Sequence, residues 1–225
     1  MIAAKEFTPE TIKRAYNRRS WVYSKTVAQM EWAHHLSALE MANIKTGEKV
    51  LEVATGPGLT IVELSKRIGR ETKIYGIDTS TGMLSLAEKN LLAHGFSNFQ
   101  LKEADSRHLP FENNMFDFLY NGYMLDLIPV QDMPKILNEF YRVLKPGGRM
   151  ILLNMSKRDE ATKTSRETLY SILPAKFTLY VLGGCRPVLM ENMVNAAGFE
   201  NTVRVFLDGK FPSEIITAAK PSTQQ

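Results

Sequence analysis

The pattern of hydrophobic and polar positions changes near Lys49 and divides the chain into a helical beginning and an alternating remainder. Before that point apolar residues recur at helical spacing, so the pattern predicts helices and no strand over residues 1–44. After it, short apolar runs alternate with amphipathic segments. This order is typical of βαβ units, which build a parallel sheet with helices on both faces.

Seven short apolar runs are predicted to form strands. They cover residues 50–54, 73–77, 99–101, 116–120, 149–153, 202–207 and 214–218. Helices are predicted over residues 26–41, 59–68, 81–94, 133–144, 157–173 and 188–197. The connection between the last two strands is short enough for an antiparallel hairpin. We therefore expect an α/β fold: a Rossmann-like, doubly wound, mostly parallel seven-stranded sheet with a C-terminal antiparallel hairpin and an N-terminal helical lid.

The same pattern predicts one domain with additions. Residues 1–44 are interpreted as a helical lid and residues 45–220 as the main domain, with an insertion at about 156–190. Residues 221–225 form a short tail.

Composition narrows the class of protein. Of 225 residues, 44% are hydrophobic and 23% charged, which is ordinary for a globular chain with its own core. The single cysteine, Cys185, excludes an internal disulfide and disfavours a structural zinc site, so no metal is expected. The beginning of the chain lacks an apolar signal segment, and no window is long enough to span a bilayer. These features favour a cytoplasmic location.

A glycine-rich turn follows the first predicted strand, in the order Ala54-Thr55-Gly56-Pro57-Gly58. Such a turn exposes backbone N–H groups at a helix N-terminus, where anions bind. A dinucleotide site would need a small third residue, but the positions available are Leu59 and Ile61. Glu52 precedes the turn and would repel a pyrophosphate. It suits a ligand that carries an ammonium group, such as the zwitterionic end of an amino acid.

Acidic residues also follow the next two predicted strands. Asp78 lies where an acid bonds the hydroxyls of a ribose, and Ser80 is predicted to cap the helix that follows. Asp105 follows the third strand and is placed to accept from an adenine amino group. Together the three acids suit methionine, ribose and adenine.

With these motifs, the sequence resembles the class I S-adenosylmethionine-dependent methyltransferases over roughly residues 45–220. The matching pieces are Val50–Gly58, Gly76–Ser80, Met83-Leu84, Ala104-Asp105, Leu109–Phe111, Phe116-Asp117 and Leu144–Arg149. They are most similar to the group of ubiquinone/menaquinone C-methyltransferases and bacterial phospholipid N-methyltransferases. That group usually has glycine where this chain has Ala54.

The resemblance implies S-adenosylmethionine as cofactor and a set of residues that hold it. Glu52 would take the methionine amine, Asp78 the ribose hydroxyls and Asp105 the adenine amine. The full implied cofactor set is Tyr23, Glu52, Ala54, Thr55, Gly56, Gly58, Asp78, Thr79, Met83, Ala104, Asp105, Ser106 and Asn121. Tyr16 and Tyr23 resemble the paired tyrosines of the family's N-terminal lid.

The acceptor site is less defined by the sequence. The residues interpreted as substrate-binding are Tyr16, His35, Tyr123, Tyr170, Tyr180 and Arg186. Because the methyl donor is already activated, the protein mainly positions the acceptor and excludes water, and no catalytic residue is assigned. His34, His35 and His108 are the candidates for a base.

The expected function is methyl transfer to a small or lipid-like acceptor, with a quinol or a phospholipid headgroup favoured. A basic cluster (Lys13, Arg14, Arg18 and Arg19) is interpreted as a solvated helix face or, alternatively, as a surface attracted to an anionic membrane or substrate. The apolar run at 172–182 is interpreted as core packing or as a portal for a lipophilic acceptor, and peripheral membrane contact is one of the expected partners. The net charge of +4 is low for a duplex binder, and Asn121-Gly122-Tyr123 lacks the motif of amino-directed nucleic-acid methyltransferases, so no nucleic-acid partner is expected. Two alternatives stay open: an aminopropyltransferase and a cofactor-binding module without activity.

Overall fold

The computed structural model describes residues 7–8, 10–17, 27–162, 164, 167–168, 172–174, 177–179 and 184–222. The strands are β1 Val50–Val53, β2 Ile74–Asp78, β3 Phe99–Glu103, β4 Phe116–Gly122, β5 Leu144–Met155, β6 Glu200–Leu207 and β7 Ser213–Ala219. The helices are α1 at 10–17, α2 Val27–Met41, α3 Leu59–Ile68, α4 Thr81–Ala93, α5 Met133–Val143 and α6 Glu191–Ala196. Two 3₁₀ turns, Leu125–Leu127 and Val130–Asp132, lie between β4 and α5.

The strands form one seven-stranded sheet in the order β3-β2-β1-β4-β5-β7-β6. Strands β1 to β5 are parallel, and β7 pairs antiparallel with both β5 and β6. This confirms the predicted doubly wound sheet and its C-terminal hairpin. The chain order reverses between β1 and β4, and the crevice outside the carboxyl ends of the strands at such a point is where ligands bind in open α/β sheets.

Each face of the sheet has its own apolar core, because successive side chains of a strand point to opposite faces. Leu51 and Val53 of β1 pack in one core with Phe140 of α5. Val50 packs in the other, together with Leu64 of α3 and Leu39 of α2. Glu52 alternates with Leu51 and Val53, so the fold directs this carboxylate toward the face that α2 and α3 cover.

The start of β5 differs from the prediction. The sequence Lys145-Pro146-Gly147-Gly148 was expected to end α5 before a strand at Arg149, but β5 already begins at Leu144. The pairing of β4 with β5 shifts between Phe116 and Phe118, so the glycine pair forms an irregularity within the strand. The backbone N–H of Gly147 donates to Lys220 O at 2.9 Å, which ties this irregularity to the end of β7.

The helix predicted over 157–173 is wrong at its beginning, because residues 157–162 form turns. The N–H and hydroxyl of Thr162 both donate to Asp159 Oδ1, at 2.8 and 2.9 Å. Such local bonds from Asp compete with a helix. The predicted helix over 188–197 is also shorter, since Val188 forms a bridge with Ser156 and α6 begins at Glu191. Among the described helices, none is long and apolar enough to cross a membrane.

Gly58 fixes how closely the glycine-rich turn approaches α4. Its φ is +89°, and a Cβ at this position would lie 2.4 Å from the Cα of Ala87. Gly56 also has a positive φ, +51°, but a Cβ there would meet nothing within 4 Å. Only Gly58 is therefore required by close backbone packing as well as by conformation.

We expect Gly58→Ala to lower the free energy of unfolding by about 2–5 kcal/mol, since it adds a clash to the cost of a left-handed alanine. Gly56→Ala is the matched control and should cost about 1–2 kcal/mol, from conformation alone. Urea unfolding of both variants measures the difference. Equal destabilisation by the two substitutions would contradict the close approach of the turn to α4.

Candidate functional site

The carboxyl ends of β1, β2 and β3 lie next to one another and carry the three acids that the sequence singled out. Two cavities open at this edge, and both are lined by Ala54. We name them the Asp78 cavity and the Glu52 cavity, after the acid that lines each. Asp105 lies in the Asp78 cavity. The fold therefore brings the three acids to one continuous crevice.

The Asp78 cavity contains most of the residues predicted for the nucleoside half of a cofactor. They are Ala54, Asp78, Thr79, Ala104, Asp105 and Ser106. The apolar walls of this cavity and one arginine were not predicted from the sequence. They are Ile12, Val53, Ile77, Arg107, Met124, Leu127 and Ile128. Ile12 comes from α1, so the N-terminal part of the chain forms one wall of this cavity. The hydrophobic spacing of α1 was visible in the sequence, but its position over this cavity was not.

The Glu52 cavity lies between the glycine-rich turn and α2. Of its predicted residues, Glu52, Ala54, Thr55, Gly56 and His35 line it. Pro57 of the predicted turn lines it as well, and the lining residues not predicted from the sequence are Glu31, Trp32, Leu59, Thr60 and Gly122. His35 was predicted for the acceptor, but it lies here beside the turn predicted for the cofactor.

Three predicted cofactor residues support the crevice without lining either cavity. Gly58 packs on α4, as described above. Met83 is buried, and its N–H donates to the Ser80 hydroxyl at 3.1 Å, which confirms Ser80 as the predicted cap of α4. Asn121 donates through Nδ2 to Val53 O at 2.9 Å, while its Oδ1 is buried with no hydrogen-bond partner in the structure.

Asp78 is held by the backbone around it. Oδ2 accepts from the N–H of Gly56 at 2.9 Å, and Oδ1 accepts from the N–H of Ser80 at 2.8 Å. Burial raises the pKa of Asp78 to about 6, and these backbone donors partly oppose that rise. The bond to Gly56 orients the carboxylate at the mouth of the turn.

Glu52 is buried with little to balance its charge. Its Oε2 has no hydrogen-bond partner, and neither has the nearby hydroxyl of Thr55. Burial, and then the charge of Asp78, raise the pKa of Glu52 well above its usual value. Its neighbours across the sheet are Gly76 and Tyr120, and the side chains of Thr55, Ile61 and Leu101 fill the space beside the glycine. Buried polar atoms are nearly always bonded, so these two atoms are available to bond a ligand that enters the cavity.

Asp105 is engaged more fully than the sequence suggested. Arg107 donates to it from its backbone N–H and its guanidinium, with Nη2 at 2.6 Å from Oδ2. Through Nη1, Arg107 also bonds Asp132 at 2.9 Å. The hydrogen bonds and charge of Arg107 outweigh the opposing effect of burial and lower the pKa of Asp105. This network connects the loop after β3 to the start of α5.

Backbone strain is concentrated beside the crevice. The non-glycine residues with a left-handed φ in the described chain include three asparagines, which tolerate it, and two residues that do not, Ala54 and Tyr123. Their φ angles are 62° and 50°. The value at Ala54 explains why the family usually has glycine there. Strain of this kind persists where the surroundings enforce it, often at functional sites.

The predicted acceptor residues are partly described. Tyr123 is buried at the end of β4, and Tyr16 packs against a small cluster of Leu127, Met155 and Cys185. The Arg186 guanidinium donates to the carbonyl of Ile128, a residue of the Asp78 cavity. Tyr23, Tyr170 and Tyr180 lie outside the described residues, as do Arg18 and Arg19. Lys13 pairs with Glu103, so part of the predicted basic cluster is neutralised.

The buried charge of Glu52 makes stability depend on pH. A carboxyl whose pKa is raised on folding binds its proton more tightly in the native state, so stability falls as pH rises above the unfolded value. We expect Glu52→Gln to be more stable than the wild type by about 1–3 kcal/mol at pH 8 and nearly equal to it near pH 4.5.

Urea unfolding at several pH values checks this expectation, with the exposed Glu88→Gln on α4 as the control. An advantage of Glu52→Gln that is the same at every pH would show that the charge of Glu52 is not its source. No advantage at pH 8 would show that the buried carboxylate is already compensated.

Comparisons with known proteins agree with this geometry. The model of the ubiE/COQ5 methyltransferase family matches residues 10–180. The demethylmenaquinone methyltransferase of Geobacillus stearothermophilus is 31% identical over 152 residues, which cover 66% of this chain and 64% of that protein. The ubiquinone/menaquinone biosynthesis C-methyltransferase UbiE of Idiomarina loihiensis is 34% identical over 139 residues, 60% of this chain and 55% of that one. The matched region thus spans less than two thirds of either relative.

Solved structures share the fold at low sequence identity. The [4+2]-cyclase SpnF superposes with a TM-score of 0.78 at 16% identity, covering 97% of this chain and 98% of that one. A phosphoethanolamine methyltransferase of Haemonchus contortus, in complex with S-adenosylhomocysteine, gives a TM-score of 0.71 at 17% identity over 93% and 60%. These likenesses concern the fold alone. The family match covers most of the chain, and the chain belongs to the ubiE/COQ5 methyltransferase family.

Proposed function

We propose that this protein binds S-adenosylmethionine in the crevice and transfers its methyl group to a ring carbon of a quinol-type acceptor. The observation that carries the proposal is the pair of cavities joined at Ala54, with a buried, unbalanced glutamate in one and two further acids in the other. The names of the relatives favour a quinol over the phospholipid headgroup that the sequence left open.

The Glu52 cavity fits the amino-acid end of that cofactor. An ammonium group there would bond the orphaned Glu52 Oε2 and balance its charge. The hydroxyl of Thr55 also lacks a partner, and it lies at the turn that leads into α3. A carboxylate would be stabilised by that hydroxyl and by the free N–H groups at the helix start.

The Asp78 cavity fits the nucleoside end. Each Asp78 oxygen accepts one backbone N–H and keeps a lone pair for a ribose hydroxyl. Ile12, Ile77 and Ala104 supply apolar surface for a flat base. An adenine amine would donate to Asp105 beside Arg107. It would be a further donor to a carboxylate oxygen that already accepts from Arg107.

The bound cofactor would supply a methyl group on a positively charged sulfur, ready for in-line displacement. The protein then needs to hold the acceptor ring close to that methyl and to exclude water. The apolar residues Met124, Leu127 and Ile128 follow β4 and border the Asp78 cavity. They suit the face of a hydrophobic ring better than a charged headgroup.

Fold likeness alone does not establish this reaction. The SpnF structure, a [4+2]-cyclase by its name, has the same architecture, and fold does not determine function. A cofactor-binding module without activity would show the same two cavities. Binding and turnover therefore have to be measured separately.

For binding, we expect calorimetric titration to detect both S-adenosylmethionine and S-adenosylhomocysteine below millimolar concentration. Glu52→Gln should weaken both by roughly thirtyfold or more, because removing one member of a buried charge pair costs about 2–5 kcal/mol. Glu88→Gln serves again as the control and should bind as the wild type does. Absence of binding at millimolar concentration would overturn the proposed cofactor.

For turnover, we expect incubation with labelled S-adenosylmethionine and a reduced demethylmenaquinone-type naphthoquinol to give a product heavier by one methylene, with the label on carbon. Mass spectrometry of the product identifies the methylated atom. Tight cofactor binding without product from any hydroxylated ring would favour the inactive module, and exclusive methylation of a phospholipid amine would reject the quinol.

The proposal includes contact with a membrane surface, where a lipid-tailed quinol would dissolve. Two apolar residues of the segment predicted as an insertion are exposed, Ile172 by 75% and Phe177 by 44%. The segment that carries Phe177 and Leu179 reaches the site, since Gly184 lies close to both Leu179 and Leu127.

We expect Phe177→Asp to lower binding to anionic phospholipid vesicles by about tenfold, since it removes roughly 1.5 kcal/mol or more of apolar contact. Val203→Asp is the matched control, because Val203 is 52% exposed on the edge strand β6. Vesicle sedimentation measures the effect. Equal losses in both variants, or no binding by the wild type, would argue against this surface.

A further inference from the structure

A short chain of hydrogen bonds links three elements beside the crevice. The hydroxyl of Tyr123 lies 3.0 Å from Ser213 Oγ and 2.9 Å from His34 Nδ1. Ser213 Oγ also donates to the carbonyl of Phe211 at 2.9 Å. These hydrogen bonds thus connect α2, the residue after β4 and the start of β7.

The direction of each bond follows from counting hydrogens. A carbonyl only accepts, so the single hydrogen of the Ser213 hydroxyl is used on Phe211. Ser213 Oγ must then accept the hydroxyl hydrogen of Tyr123. With its own hydrogen used, the Tyr123 oxygen can only accept from His34, so the proton of a neutral His34 ring lies on Nδ1 and the lone pair on Nε2.

These hydrogen-bonded residues lie next to the crevice. Tyr123 has the strained left-handed backbone, and its neighbours Gly122 and Met124 line the Glu52 and Asp78 cavities respectively. The ring of Tyr123 meets the ring of His35 edge-on at 5.5 Å, and His35 lines the Glu52 cavity. His34 is half-buried on α2 beside His35, and its Nδ1 is held by the Tyr123 hydroxyl.

We propose that His34 is the base of the reaction, taking the proton of the acceptor's ring hydroxyl on Nε2, while Tyr123 and Ser213 are positioning residues that fix its tautomer. This inference rests on the proposed function, since the proton that His34 takes is that of a hydroxylated ring. Loss of the hydroxyl proton makes the adjacent ring carbon nucleophilic. That carbon forms the new bond to the methyl group, and the electron pair of the broken carbon–sulfur bond stays on sulfur. The ring carbon then loses its hydrogen as a proton, the ring oxygen takes back the proton held by His34, and the aromatic hydroxylated ring is restored.

The surroundings keep the imidazole neutral at physiological pH. Burial lowers the pKa of His34 below its usual 6.5. His35 is its neighbour on α2, and burial lowers the pKa of His35 to about 3, so His35 stays uncharged. Facing Tyr123 are Glu31 from α2, Asp126 from the 3₁₀ turn and Cys185, which together with burial raise the pKa of Tyr123 far above its usual value. Tyr123 is therefore a hydrogen-bonding group here, and it does not compete as the base.

The test compares His34→Asn with the wild type on the naphthoquinol. The asparagine amide can still donate to Tyr123 but has no basic nitrogen. We expect kcat to fall by about 10²–10⁴-fold, with unchanged affinity for S-adenosylhomocysteine. The fall in wild-type kcat at acid pH should disappear in the variant. His94→Asn is the matched control. The ring of His94 bonds the carbonyl of Asn90 at the end of α4, and the variant should keep full activity.

A second variant tests the tautomer directly. In Ser213→Ala the Tyr123 hydroxyl loses its acceptor and can donate to His34 Nδ1, which moves the ring proton to Nε2. Nitrogen NMR of the histidine rings should show the Nδ1–H form of His34 in the wild type and the Nε2–H form in Ser213→Ala, together with a lower kcat.

The outcomes separate this inference from the function on which it rests. An active wild type with an equally active His34→Asn overturns the role of His34 and leaves the function standing. An Nε2–H tautomer in the wild type also overturns it. A wild type that binds cofactor but methylates no hydroxylated ring overturns both the function and the base.

Discussion

The structure depends on one costly interaction, the burial of the Glu52 carboxylate beside Asp78 at the point where the strand order reverses. An ionised carboxylate without a partner is expensive inside a protein, and a second acid nearby makes it more so. The sheet imposes this arrangement, because alternation along β1 turns Glu52 toward the face covered by α2 and α3. A cationic ligand would remove the cost. Part of the binding energy of the cofactor would therefore come from removing that cost.

The rest of the site is organised around that cost. Gly58 lets the glycine-rich turn approach α4, and the backbone of that turn bonds Asp78. Ala54 has a left-handed backbone and lines both cavities. Helices α1 and α2 contribute Ile12, Trp32 and His35 as walls. The helical beginning of the chain therefore belongs to the site. The boundary of a separate lid at residue 44 stays a prediction. The family match, which begins at residue 10, is consistent with this.

How much of this could be predicted from the sequence depended on the range of the interactions. The periodicity of α5 and the short apolar strands are local, and their order was predicted correctly, as was the cap at Ser80. Glu52 and Asp78 were predicted as site residues because Glu52 lies within β1 and Asp78 ends β2, the next strand along the chain. Arg107 was missed, because its bonds to Asp105 and Asp132 depend on how two distant loops meet. The same holds for Trp32 and for the hydrogen-bond chain through Tyr123, since no spacing in the sequence relates α2 to β7.

Glu52 is a buried carboxyl with a raised pKa that is placed to bind a cationic group, and proton release on binding tests this role most directly. Titration calorimetry of S-adenosylhomocysteine at pH 7, in two buffers with different heats of ionisation, measures the protons exchanged. We expect a net release of protons in the wild type, because an ammonium group would force Glu52 to ionise. We expect no such release in Glu52→Gln. Binding without proton release in the wild type, or with the same release in the variant, would contradict it.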